Sequence, residues 1–166
     1  ASVLLRVKDD YDGAEPSAGS VSALNLLTLA HLDSDPAAVR TVEAALARFA
    51  GRWGQAARIV PLMATALAQY HTGLSQIVII GAADRPDTLV LKRSLASVYL
   101  PFSVTMNIEP GLRQLTLAES LPFTAEMTMV DGKATAFVCT NFSCLEPTND
   151  PDRFDTQLRA LRNNTL

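Results

Sequence analysis

The chain has 166 residues, 48% of them hydrophobic and 19% charged, with 14 Lys and Arg against 17 Asp and Glu for a net charge of −3. That length suits one domain, or one domain with a small appendage, and the apolar fraction is enough for a core. The scattered basic residues in a mildly acidic chain argue against nucleic-acid binding, and apolar runs such as Gln76 to Ala83 are too short to cross a bilayer.

The first segment, Ser2 to Lys8, is strongly hydrophobic without a cap or leader, as expected of extended chain cut from something longer. It lacks the basic region and apolar stretch of a signal peptide, and two cysteines do not make a disulfide framework, so the expectation is a soluble, cytoplasmic protein. The next stretch, Lys8-Asp9-Asp10-Tyr11-Asp12-Gly13-Ala14-Glu15-Pro16-Ser17, packs four carboxylates into ten residues before a helix start. Such a loop is either a polar ligand site for a sugar or polyol, or a solvated connection.

From Ser17 to about His31 the apolar residues Val21, Leu24, Leu27 and Ala30 form one helical face, and Ala23, Leu26 and Leu29 a second. A helix apolar nearly all round calls for burial on more than one side. Asp35 and Pro36 then read as the N-cap and first position of a second helix ending near Gly51, with Val39, Val42, Ala45, Leu46 and Phe49 inward. A third helix runs from Pro61 through Leu62, Met63, Ala66, Leu67 and Tyr70 to Gly73. Three helices with short links predict antiparallel helical packing.

After Gly73 the period changes. Gln76-Ile77-Val78-Ile79-Ile80-Gly81 has the pattern of a strand buried on both faces. Asp84 is the expected cap of a helix from about Pro86 to Val98, and Phe102, Val104, Met106 and Ile108 alternate as a half-buried strand. Together these predict a parallel βαβ unit. A short helix or turn is expected around Leu112 to Leu117, while Leu121 to Val130 is ambiguous. Asp131-Gly132 marks a turn before a third strand from Ala134 to Cys139, and Asp150-Pro151 starts a last helix through Leu158 and Leu161. The fold class is therefore mixed, α+β or α/β, with a helical part over 1–74 and a small three-stranded α/β part over 75–166.

Cys139 and Cys144 permit a disulfide, half a metal site, or no special chemistry, with structural or free thiols the leading expectation. Their spacing is not that of a thioredoxin-type motif, whose first cysteine sits at a helix N-terminus. A zinc site would need two further ligands, and His31 and His71 lie in separate helices near C-termini, where a cation is favourable. Asp10-Tyr11-Asp12-Gly13 is not an EF-hand loop, because the first ligand would fall on Lys8 and the bidentate carboxylate on Gly19. Gly81-Ala82-Ala83-Asp84 lacks a dinucleotide or P-loop fingerprint, so neither a metal nor a cofactor is expected.

The acidic stretch with Ser20-Val21-Ser22-Ala23-Leu24-Asn25-Leu26-Leu27 resembles the corresponding part of the spermatogenesis-associated, thioredoxin-domain-containing protein family. So do Pro61-Leu62-Met63, Gln76-Ile77-Val78-Ile79, Val98-Tyr99-Leu100-Pro101, and the stretch through Ala134, Val138, Cys139, Cys144, Pro147 and Asp150-Pro151. Leu145 and Gly19 depart from the pattern, where a small residue and an asparagine are expected. The resemblance implies the carboxyl-terminal part of a longer parent that runs from a thioredoxin-like domain into an (α/α) toroid similar to six-hairpin glycosidases and N-acylglucosamine 2-epimerases. The helical part would then be a hairpin segment of that toroid, and its natural partners the missing amino-terminal portions. On that reading Asp9, Asp10, Asp12 and Glu15 lie at the toroid mouth of a carbohydrate-processing parent. The alternative is a thiol-redox partner module using Cys139 and Cys144, and a third reading is a structural segment inactive by itself. The apolar first helix, without the rest of a toroid to cover it, predicts a homo-oligomer for the isolated chain.

Overall fold

Proline and aspartate punctuate this chain, and the computed structural model, which describes residues 11–33, 35–50, 58–140 and 143–165, starts four of its helices at or next to such signals. The chain divides into two compact units, Ala1–Thr72 and Gly73–Leu166. In the first, α1 (Ala18–Asp33), α2 (Pro36–Ala50) and α3 (Pro61–Thr72) pack with α1 against both others. The Asp35 carboxylate accepts the Ala37 N–H at 2.8 Å, so it caps α2 while Pro36 occupies the first helical position. Gly73, at φ 79°, follows the last residue of α3 in the left-handed conformation that commonly ends a helix.

The core of this unit is Ala23, Leu27, Val42, Leu46, Val60, Met63 and Ala66, with Leu24, Leu26, Phe49, Leu67 and Tyr70 packed at its margin. Neither of the two apolar faces read for α1 is buried whole: Leu27 and Ala30 of the first and Ala23 of the second are buried, while Val21 of the first and Leu29 of the second are exposed. Across the helices, the Tyr70 hydroxyl donates to Glu43 at 2.6 Å and Gln69 donates to the Thr28 hydroxyl at 3.4 Å.

The second unit is built on β1 (Ser75–Ile80), α4 (Pro86–Ala96), β2 (Ser103–Ile108), α5 (Leu112–Ser120), a 3₁₀ turn at Pro122–Thr124, β3 (Thr135–Thr140), β4 (Ser143–Cys144) and α6 (Pro151–Thr165). The sheet order is β2-β1-β3-β4, with β1 parallel to β2 and antiparallel to β3. Every residue of β1 is buried because it has a strand on each side and a layer on each face. Ile77 and Ile79 point into a cluster with Leu91 of α4 and Phe154, Leu158 and Leu161 of α6. Val78 and Ile80 point the other way, into Ile108, Met127 and Phe137, with Leu117 of α5 and Phe123 at the edge. Burying each of these branched side chains contributes about 1.5–3 kcal/mol, which explains an uninterrupted apolar run at this place in the chain.

The sheet is four-stranded rather than three-stranded. The extra strand is only two residues long, and its residues are exposed, so it carries no hydrophobic pattern to read. Backbone pairing holds it: Leu145 donates to the Val138 carbonyl at 2.9 Å, and Ala136 and Thr148 exchange bonds of 2.8 and 3.0 Å further along. The ambiguous Leu121–Val130 segment is fixed by buried Gln114, whose side-chain nitrogen donates to the Thr124 and Met127 carbonyls at 2.7 Å each. At the far end Asp150 caps α6 through the Asp152 N–H at 2.9 Å. Among the described residues no helix is long and apolar enough to cross a membrane.

Candidate functional site

Of the four carboxylates of the acidic loop, the described residues include Asp12 and Glu15. Asp9 and Asp10 lie outside the described residues. Glu15 is exposed. Asp12 uses both of its oxygens: one accepts the Ser17 N–H at 2.8 Å, and the other accepts the Leu62 N–H, 50 positions away, also at 2.8 Å. Its own N–H donates to the Ile59 carbonyl at 2.8 Å, tying the loop to the approach of α3 from a second direction.

The chemistry of the two helix starts explains why a carboxylate belongs there. At α3, Val60 precedes the helix and has no side-chain acceptor, while Pro61 has no N–H, so the first donor left without a partner is that of Leu62. Asp12 supplies the acceptor from a distant loop. At α1, Ser17 is the local cap, with its hydroxyl oxygen accepting the Ser20 N–H at 3.2 Å and its hydroxyl lying 2.9 Å from that of Ser20. Asp12 in turn holds the cap residue. Burial by itself would raise the Asp12 carboxyl, but bonds from the Ser17 N–H, the Ser20 hydroxyl and the Leu62 N–H outweigh it and keep the group below the usual aspartate range.

A second carboxylate, overlooked in the sequence, organises the other unit. Asp84 was the expected cap of α4, yet the residue before that helix is Arg85, which makes no side-chain cap. Asp87 does the work from inside the first turn. It receives Arg85 through two bonds of 3.0 and 2.8 Å, the Thr88 N–H at 3.1 Å and the Ala134 N–H at 2.9 Å. The Arg85 guanidinium and the Ala134 N–H hold this carboxyl well below its ordinary value. Arg85 also reaches the Gly132 carbonyl at 3.2 Å, so the turn before β3 is fastened to the start of α4. An Asp one turn into a helix is a common dipole-compensating residue, and that signal alone could have flagged it.

The two cysteines are joined. In the register of β3 and β4, Cys139 stands directly opposite Cys144, with their Cα atoms 3.9 Å apart and the sulfurs bonded to each other. The Leu145-to-Val138 backbone bond lies at the next pair, so the cysteines occupy a non-hydrogen-bonded pair, the closer of the two kinds in an antiparallel ladder. Of the alternatives open in the sequence, the structure thus contains the disulfide. Cys139 is buried in the sheet core and Cys144 is exposed. His31 and His71 sit in the last turns of α1 and α3, in the first unit, whereas both cysteines belong to the second. Burial lowers the His31 pKa below its ordinary 6.5, so a cation at this helix end is disfavoured by desolvation.

The sequence is 38% identical over 151 residues to spermatogenesis-associated protein 20 of Homo sapiens, covering 91% of this chain and 19% of that protein. The rat protein of the same name is 37% identical over 147 residues, covering 89% of this chain and 18% of its own length, and the mouse protein is 35% identical over 151 residues, covering 91% and 19%. The chain therefore spans about a fifth of the length of the curated relatives it matches. No family model matches, and no solved structure matches significantly.

Proposed function

For this chain, a relative of spermatogenesis-associated protein 20 that aligns with 19% of the human protein, we propose a structural role within a longer parent, with the acidic loop bracing helices instead of performing chemistry. The observation that carries this reading is Asp12, whose two oxygens are both engaged by backbone N–H groups. A general acid or base must exchange its proton with a substrate and is tuned toward the working pH. Asp12 is shifted the other way, toward the charged acceptor form.

A carbohydrate role for the parent, with this unit as part of a toroid, then rests on Glu15 together with Asp9 and Asp10. Glu15 is exposed, so its carboxylate is accessible to a hydroxyl group. The experiment that separates the two readings compares Asp12→Asn with Glu15→Gln in the full-length parent, measuring thermal stability and binding of a panel of monosaccharides. The structural reading expects Asp12→Asn to lower stability and leave the affinity of the folded protein unchanged. Loss of sugar binding at unaltered stability would overturn it.

A second reading, thiol exchange, is favoured by the exposure of Cys144. An incoming thiolate from a dithiol reductant would attack the Cys144 sulfur and form a mixed disulfide, releasing Cys139 as a thiolate that takes up a proton. The reductant's second thiolate would then attack its own sulfur in the mixed disulfide, releasing Cys144 and leaving the pair reduced and the reductant oxidised. Redox titration decides the matter: a potential well above about −300 mV supports exchange, whereas a lower one marks the bridge as structural.

A further inference from the structure

The two parallel strands of the second unit send their chains in opposite directions. After β1 the chain crosses to the face where Leu91 of α4 packs on Ile77 and Ile79. After β2 it crosses to the other face, where Leu117 of α5 packs beside Val78, Ile80 and Ile108. Adjacent parallel strands whose following segments diverge in this way leave a crevice outside their carboxyl ends, and in open α/β sheets such switch points are where ligands bind. The crevice exists here, with a volume of about 280 Å³, between Gly81 and Ala83 after β1 and Asn107, Glu109 and Arg113 at the end of and after β2.

Its walls have a definite chemistry. Asn107 donates its side-chain nitrogen to the Ile79 carbonyl at 3.1 Å and the Gly81 carbonyl at 2.9 Å, across the ends of both strands. Two carbonyl acceptors fix which end of the amide is nitrogen, so the acceptor that Asn107 brings to the lining is Oδ1. Glu109 and Arg113 pair at 3.0 Å, one turn apart. They add a second acceptor and a fork of donors with no net charge between them. The pair is exposed, at 82% for Arg113 and 47% for Glu109, so opening it to admit a ligand costs little. Ile108 and Leu117 give the same space an aliphatic floor.

We infer that this crevice binds a small, neutral, hydroxyl-rich molecule of about the size of one sugar ring. Hydroxyl groups donate and accept at once, as a wall carrying both Glu109 and Arg113 requires, whereas an anion would meet Glu109 and a cation would meet Arg113. The volume lies just below the range of drug-sized pockets, which sets the size. The aliphatic floor suits the C–H face of a ring. This site is in the second unit and is independent of the acidic loop, so it stands whether or not Asp12 is a brace.

The test is an amide-shift titration of the ¹⁵N-labelled chain with D-ribose, D-glucose and myo-inositol separately, and with inorganic phosphate as the anionic control. At least one polyol is expected to give saturable shifts centred on Gly81, Ala83 and Arg113, weakened about fivefold or more by Glu109→Ala and by Arg113→Ala. Both side chains are exposed, so the variants should keep the parent spectrum elsewhere and remain interpretable. Shifts that rise linearly without saturation, that scatter over both units, or that survive both substitutions would overturn the inference. So would saturable binding of phosphate here without binding of any polyol, since the crevice would then be an anion site.

Discussion

Replacing Asp12 tests the central claim most directly. The alanine variant leaves the Ser17 and Leu62 N–H groups without their partner, while the asparagine variant keeps one acceptor and turns an amide toward the other donor. A bond from a backbone N–H to a carboxylate contributes about 1.5–3 kcal/mol when sheltered, but Asp12 is only partly buried and water recovers some of the loss. About 1 kcal/mol per bond is the reasonable figure, in line with helix-cap substitutions, and gives about 2 kcal/mol for Asp12→Ala and about 1 kcal/mol for Asp12→Asn. For a chain of this length the alanine variant should lower Tm by about 4–8 °C, followed by circular dichroism at pH 7. The pH dependence has a definite sign. Because the folded-state pKa is below the ordinary 3.8, the contribution is complete above pH 3.8 and is lost as the pH falls from there through the folded value. The gap between the unmutated chain and Asp12→Asn should therefore be constant at neutral pH and close in acid. Equal stability of the two proteins at pH 7, or a gap that widens below pH 3.8, would refute the brace.

Four further outcomes are expected. Gly81→Ala should cost about 1–3 kcal/mol in urea denaturation, because its Cβ would lie 2.5 Å from the Thr88 hydroxyl and 2.9 Å from the Ala134 methyl. His31→Gln should reduce the acid sensitivity of folding: the lowered His31 pKa means that stability falls as pH drops below 6.5, and removing the group removes that share of the slope. Joint replacement of Cys139 and Cys144 by serine should preserve the circular dichroism spectrum and cost roughly 2 kcal/mol, since the bridge closes a loop with a sequence separation of only 5. The isolated chain should self-associate through α1, where Val21 and Leu29 are exposed at 38% and 53%; Leu29→Glu should yield monomers by light scattering, and a monomeric unmutated chain would sink this proposal.

What could be read from residues alone was what their near neighbours decide. Asp35-Pro36 and Asp150-Pro151 are legible because a cap acts within one turn, and both carboxylates bond N–H groups two residues on. The apolar run of β1 is legible because burial on both faces leaves no polar position to break it. The same local logic misassigned Asp84: it stands where a cap usually stands, whereas Asp87, three residues on, faces Arg85 and the Ala134 backbone. Spacing could not reveal β4 either, because its two exposed residues carry no apolar pattern and are held by backbone pairing and by the Cys139–Cys144 bridge.

The acidic loop exposes the limit most clearly, since four carboxylates in ten residues suggest concentrated chemistry only while their partners are unknown. Asp12 meets Leu62, a donor 50 positions away whose need arises from Val60 and Pro61, and no reading of the loop itself contains that need. The crevice after β1 and β2 shows the converse. Asn107, Glu109 and Arg113 match no motif, and they become a candidate site only because α4 and α5 pack on opposite faces of the sheet. A charged residue in a loop is therefore weak evidence for chemistry until its oxygens or nitrogens are accounted for, and an unremarkable one at a strand end gains meaning from the topology around it. By that criterion the exposed Glu109–Arg113 pair, which can open at little cost, is the better place to look for a ligand than the doubly bonded Asp12.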